Sequence, residues 1–137
     1  MDGPRATSRY GRCYASYFTF ASDYRFMRSN CPLAATLDLV GDKWTLLIVR
    51  DIALGKHCYS ELAGAAEQIP SNLLAARLKR MVEAGLLTKT KYMDAPPRYE
   101  YALTEAGKEL MPAMFHLAKW GMRHCADTGP IPDGLPN

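Results

Sequence analysis

No Cys-x-x-Cys pair occurs in this chain of 137 residues, whose four cysteines, Cys13, Cys31, Cys58 and Cys125, lie far apart. That spacing excludes the close ligand pairs from which structural zinc sites are built. Two His-Cys neighbours, His57-Cys58 and His124-Cys125, do not restore a metal site, because adjacent side chains point apart on a strand and about 100° apart on a helix. Neither a metal nor a cofactor is expected. A phosphate-cradling glycine loop is also missing and Cys31 has no clear neighbouring base. A small thiol enzyme is therefore disfavoured, and no catalytic activity is expected. Nothing in the chain approaches the roughly 18 consecutive apolar residues that cross a bilayer, which leaves no membrane partner. One stretch faintly resembles an export signal, ASYFTFAS after Arg5, Arg9 and Arg12. It is short, rich in hydroxyls and followed at once by Asp23 and Arg25. A cytoplasmic, reducing setting with free thiols follows as the expectation.

A large excess of one charge is lacking too. The net charge is only +3, so any nucleic-acid surface must be a local patch. Residues 1–30 carry five arginines against two aspartates, residues 31–125 twelve basic against ten acidic side chains, and the tail from 126 two aspartates.

What is present is the balance of an ordinary globular domain, 48% apolar and 23% charged, at a length suited to one core. Residues 1–30 show no sustained period and read as an extension outside that core, disordered in part or packed on a partner. Residues 126–137, TGPIPDGLPN and its two preceding residues, are rich in proline and glycine and read as an irregular tail. The compact unit is 31–125.

Within that unit, Pro32 suits a first helical position, Leu33, Leu37 and Val40 share a face, and Gly41 stops the turn. Asp42 is placed to cap a second helix, KWTLLIVRDIAL, apolar nearly all round and ended by Gly55. Ser60 is placed to cap a third, SELAGAAEQ, with Glu61 favourable near the positive end of its dipole. Ser71 caps a fourth, NLLAARLKRMVEA, closed by Gly85. LLTKTKYM and RYEYAL then alternate about the stiff turn DAPP, which predicts a β-hairpin. Thr104 caps a long amphipathic segment, EAGKELMPAMFHLAKWGMRHC, in which Leu110, Met114, Leu117 and Gly121 form a stripe and Pro112 predicts a kink.

Helix, helix, helix, hairpin, helix is the order of a winged helix-turn-helix, a mainly α (α+β) fold with a two-stranded β-hairpin wing. On the fourth helix, 100° per residue puts Leu74, Leu78, Met81 and Val82 on one face and Asn72, Ala76, Lys79, Arg80 and Glu83 on the other. Asn72 can pair with an adenine edge, Ala76 permits close approach, Lys79 and Arg80 can reach guanine or phosphate, and Arg77 flanks them toward the backbone. Lys89, Lys91 and Arg98 cluster at the hairpin, where a wing touches an adjacent minor groove or its phosphates. With Ser71 at the helix start, these residues make the expected interface with double-stranded DNA. The bland alternative is a solvated helix face beside a hairpin whose lysines guard its edges. A winged-helix module that only docks an acidic protein, without specific DNA binding, stays open.

The same blocks resemble the HxlR-type transcriptional regulators, a winged helix-turn-helix group related to MarR regulators. The matching residues are Cys31-Pro32, Gly41-Asp42-Lys43-Trp44, Tyr59-Ser60-Glu61-Leu62, and Ser71 with Leu74, Arg77 and Leu78. Further matches are Glu83-Ala84-Gly85-Leu86, Pro96-Pro97-Arg98-Tyr99-Glu100-Tyr101, Leu103-Thr104-Glu105-Ala106-Gly107 and Trp120-Gly121. The likeness implies a homodimeric regulator, without enzymatic activity, that binds an inverted-repeat operator. It implies a dimer interface on the first and last helices, here Leu33, Leu37, Met114, Leu117, Trp120 and Gly121. Several members sense oxidants, quinones or aldehydes at the position of Cys31, so a small-molecule or electrophile effector is implied as well. A cysteine before Pro32 faces unpaired helix amides, which favour thiolate; the alternative is a small, inert, buried cysteine near the interface. The residues before Cys31 depart from the family, most of whose members reach the Cys-Pro motif sooner.

Overall fold

The computed structural model describes residues 29–135, which form six helices and one two-stranded sheet. The expectations for the extension before Ser29 and for Cys13 lie outside the described residues. α1 spans Pro32–Val40, with Cys31 at its N-cap, Pro32 in its first turn and the Gly41 amide closing onto the Leu37 carbonyl at 2.8 Å. α2 spans Thr45–Ala53. Its start is fixed by Asp42, whose Oδ1 accepts the amides of Trp44 and Thr45 at 2.9 and 3.1 Å, two of the donors every helix leaves free at its N-terminus.

α3 is shorter than expected, Tyr59–Ala63, and Cys58 rather than Ser60 stands at its cap. The physical reason is Glu61, whose carboxylate reaches back to accept the amides of both His57 and Cys58 at 2.8 Å. Those two bonds start the helix one turn before Glu61 and leave Ser60 inside it. α4 spans Ser71–Glu83, so Ser71 is its first residue and Pro70 occupies the cap. Gly85 follows at φ +72°, a left-handed turn that glycine adopts without steric cost.

β1 (Leu87–Asp94) and β2 (Pro97–Leu103) pair antiparallel, from Leu87 opposite Leu103 to Asp94 opposite Pro97, with a bulge between Lys91 and Met93. The segment before α3 lies along the free edge of β2: Cys58 bridges Glu100, and the Tyr101 amide donates to the His57 carbonyl at 2.8 Å. The hairpin root is closed by Thr104, whose hydroxyl donates to the Gly85 carbonyl at 2.6 Å and whose amide donates to that of Leu86.

The long last segment is divided rather than kinked. α5 (Glu105–Lys108) opens with Thr104 accepting the Gly107 amide at 3.1 Å, and α6 (Met111–His124) restarts with Pro112 in its first turn. Proline lacks the amide that a first turn does not use, so Pro112 begins a helix here instead of bending one. A Cβ on Gly107 would collide with the Leu86 carbonyl, so only glycine lets α5 lie this close to the hairpin root. The irregular tail returns to the core: Leu135 packs against it, and Gly134 lies beside the Leu54 side chain.

The core joins Ile48, Val49 and Ile52 of α2, Leu62 of α3, and Leu74, Leu78 and Met81 of α4 to Leu86, Leu87, Tyr101 and Met111. Each such side chain contributes roughly 1.5–3 kcal/mol of transfer free energy on full burial. Beneath it, Arg50 makes a two-pronged bond to Glu67 (Nη1 to Oε1 and Nη2 to Oε2, both 2.8 Å) and also pairs with the buried Asp51. This fork ties α2 to the turn ahead of α4, and the Arg50 hydrogen bond holds the Glu67 carboxyl at about 2, below its ordinary 4.5.

Candidate nucleic-acid interface

α4 keeps its apolar residues in and its polar ones out. Leu74, Leu78 and Met81 are buried and Val82 half-buried, while Ser71, Asn72, Ala76, Lys79 and Glu83 are exposed. Lys79 stands 4.0 Å from Glu83, a loose i,i+4 pair that contributes little and can yield to a phosphate. α3 is held against the start of α4 by Tyr59, whose phenol donates to the Ser71 carbonyl at 3.0 Å. The turn between them, with Gln68 at φ +50° and Ile69 buried, leaves the first turn of α4 in the open.

Two of the expected contacts are turned elsewhere. Arg80 donates through Nη2 to the main-chain carbonyl of Asp38 in α1. Arg77 Nε lies 3.0 Å from Asp42 Oδ1, an ion pair without the alignment of a hydrogen bond. Burial pushes the Asp42 carboxyl up, but the Thr45 hydroxyl, the Trp44 and Thr45 amides and the Arg77 charge outweigh it and hold the group below the usual aspartate value. Lys79 and Glu83 are thus exposed on the outer face of α4, while the half-buried Arg80 bends its guanidinium from that same face onto α1.

On the wing, Lys89, Lys91 and Arg98 are all exposed. Lys89 stands over the Tyr99 ring at 4.1 Å, and Lys91 pairs with Asp94 at 2.8 Å. Arg98 has no ion-pair partner among the described residues, and the tip contains a cis Ala95–Pro96 bond. Both strands run outward from a buried root, Leu87 and Tyr101, to an exposed end.

A domain with an open helix face after a tight turn and a basic hairpin beyond it invites comparison with known proteins. The family model described as HxlR-like helix-turn-helix matches residues 39–128. The chain belongs to that family. An uncharacterized HTH-type transcriptional regulator of Mycobacterium tuberculosis is 41% identical over 100 residues, 73% of this chain and 60% of that protein. The chain therefore spans about 60% of the length of that relative. Among solved structures, one from Porphyromonas gingivalis described as a MarR-family transcriptional regulator is 35% identical. The match covers 70% of this chain and 94% of that one, with a TM-score of 0.64. The redox regulator HypR in its oxidized form is 28% identical over 74% of this chain and all of its own, with a TM-score of 0.62. The winged-helix fold of the family is thus the fold of this chain.

In this HxlR-like domain the flanking helices expose their apolar residues. Leu33 and Leu37 of α1 are 65% and 50% exposed, and Leu117 and Trp120 of α6 are 58% and 55% exposed. Met114 and Gly121 are half-buried, Met114 against the core. The Trp120 ring lies against that of His124, centroids 4.9 Å apart and planes inclined by 37°. Cys31 is exposed rather than buried within the chain, its thiol free and its carbonyl accepting the Ala35 amide at 3.1 Å. Cys58 is half-buried, with its sulfur 3.9 Å from the Tyr92 hydroxyl, and Cys125 is exposed at the end of α6. Among the described residues no three His, Cys, Asp or Glu side chains gather as a metal site, and no helix is long and apolar enough to cross a membrane.

The residues that sequence reasoning missed are Tyr59, Arg50 and Glu67. Tyr59 carried one usable signal, a phenol a short turn ahead of α4; the Arg50–Glu67 fork joins residues 17 apart and leaves no local period.

Proposed function

We propose that this chain acts as a sequence-specific, homodimeric DNA-binding transcriptional regulator of the cytoplasm, without enzymatic activity. The observation that carries it is the two-faced α4, buried through Leu74, Leu78 and Met81 and open through Asn72 and Lys79. Ser71, Asn72, Ala76 and Lys79 face base edges in the major groove, with Arg77 and Arg80 flanking them, and Lys89, Lys91 and Arg98 meet phosphate or the adjacent minor groove. The exposed leucines of α1 and α6, with Met114, Trp120 and Gly121, form the twofold interface. This places two α4 helices in successive major grooves of an inverted repeat, roughly 34 Å apart. Cys31, exposed at the head of an interface helix, is the point where an oxidant, quinone or aldehyde acts; the likeness to the redox regulator HypR supports that role. A bound state or modification then shifts DNA affinity by its differential stabilisation of two subunit arrangements.

The test is selection of duplexes from a random pool by the reduced protein, repeated after mild oxidation and with Cys31→Ser. The expected result is one inverted repeat bound at least about 1,000-fold better than random duplex, with oxidation weakening the wild type and sparing the variant. Binding that never prefers one duplex supports a protein-docking module instead. Equal binding by oxidised and reduced protein removes the role of Cys31 alone.

A further inference from the structure

α1 is joined to the rest of the domain by little apolar burial. Of its residues only Val40 is buried, and Leu39 packs partly against the core. One apolar anchor near the end of a short helix fixes where that end lies but not how the helix is turned, so its polar contacts decide its direction. Two of these come from α4. Arg80 donates to the Asp38 carbonyl near the C-terminal end of α1, the negative end of its dipole. Arg77 lies against Asp42 in the turn between α1 and α2, on the same carboxylate that starts α2. Both arginines thus grip the α1–α2 junction, one turn apart on one side of α4.

We propose that Arg77 and Arg80 are positioning residues that set the angle between α4 and α1, and through it the half-site spacing this protein selects. The inference rests on the dimeric DNA-binding reading above. There α1 belongs to the twofold interface and α4 to the operator, so the angle between them determines how far apart the two α4 helices stand. A residue acting this way changes which spacing is preferred. A residue that contacts phosphate instead changes affinity at every spacing and alters the salt dependence.

The experiment uses the full chain as wild type, Arg80→Gln, Arg80→Lys and Arg77→Gln, titrated on the selected inverted repeat and on copies with two base pairs added or removed between half-sites, at several salt concentrations. The wild type is expected to prefer its selected spacing by about 100-fold or more, since helical phase is rigidly defined. Arg80→Gln and Arg80→Lys are each expected to reduce that preference at least about tenfold, with the salt slope unchanged, and Arg77→Gln to reduce it less. If Arg80→Gln retains the spacing preference and lowers the salt slope by about one, Arg80 is a phosphate contact and the proposal fails. Arg80→Lys keeps the charge, but its ammonium falls short of the position of the Nη2 that bonds the Asp38 carbonyl, so it answers the question even where Gln unfolds the domain. A crystal structure of the wild type on its selected duplex decides independently: Arg80 on the Asp38 carbonyl supports the proposal, and Arg80 on a phosphate overturns it. A wild type that prefers no duplex defeats the dimeric DNA-binding reading first, and this inference with it.

Discussion

α4 and α6 are amphipathic helices of nearly equal length, 13 and 14 residues, yet they dispose of their apolar residues in opposite ways. α4 spends Leu74, Leu78 and Met81 on the core, and what remains outward is polar and small. α6 buries Met111 at its first turn, and beyond it Leu117, Trp120 and Met122 face outward. Propensity and periodicity do not separate the two, since both carry an apolar stripe at helical spacing. The difference lies in whether the rest of the chain supplies a surface for that stripe. For α4 it does, and the opposite face is left open. For α6 only one end is supplied, and exposed apolar surface of this kind marks a place where another surface belongs.

The sharpest way to break the comparison is to empty the α4 stripe. Leu74→Ala removes a fully buried side chain and is expected to cost about 3 kcal/mol, the usual price of a core cavity, read as a lower midpoint in denaturant. On α6, Leu117→Glu is expected to convert the proposed dimer to monomer in sedimentation, while the stability of the monomer itself changes by no more than about 0.5 kcal/mol. A large loss of stability with no change of association state would show that α6 is packed within its own chain. Between these extremes stand the polar residues proposed to contact DNA. Asn72→Ala is expected to cost about 1–3 kcal/mol on the selected duplex and to relax discrimination at one base pair. Arg98→Ala is expected to weaken all duplexes alike and to reduce the salt slope by about one. The smallest effect concerns acid. Glu67 titrates at about 2 in the folded chain and 4.5 otherwise, so its stabilising contribution is complete above pH 4.5 and disappears as pH falls through 2. The carboxylate is 35% exposed, so screening limits the contribution to about 1 kcal/mol. Glu67→Gln is expected to flatten acid melting curves in that window without shifting them at neutral pH by more than this.

The parts of the fold that were legible in the sequence are those governed by neighbours a few residues away. The two faces of α4, the left-handed stop at Gly85 and the proline-stiffened hairpin all follow from local spacing and backbone preference. Local rules also failed where two residues competed for one task. Ser60 and Glu61 both suit the start of α3, and Glu61 wins because its longer side chain reaches two amides instead of one. Pro112 suits either a bend or a beginning, and the close fit of Gly107 under Leu86 settles α5 as a separate turn. The site was only partly readable for a different reason. Residue type places Arg80 on a polar side of α4, but its partner, the Asp38 carbonyl, is 42 residues away. Only the folded chain shows which polar neighbour an arginine finds.

The phenol of Tyr59 spans from one helix to the opening turn of the next. A strut at that point means α3 and α4 travel as one crank: whatever tilts the second must drag the first, and a duplex gripping both would feel a single lever instead of two loose rods.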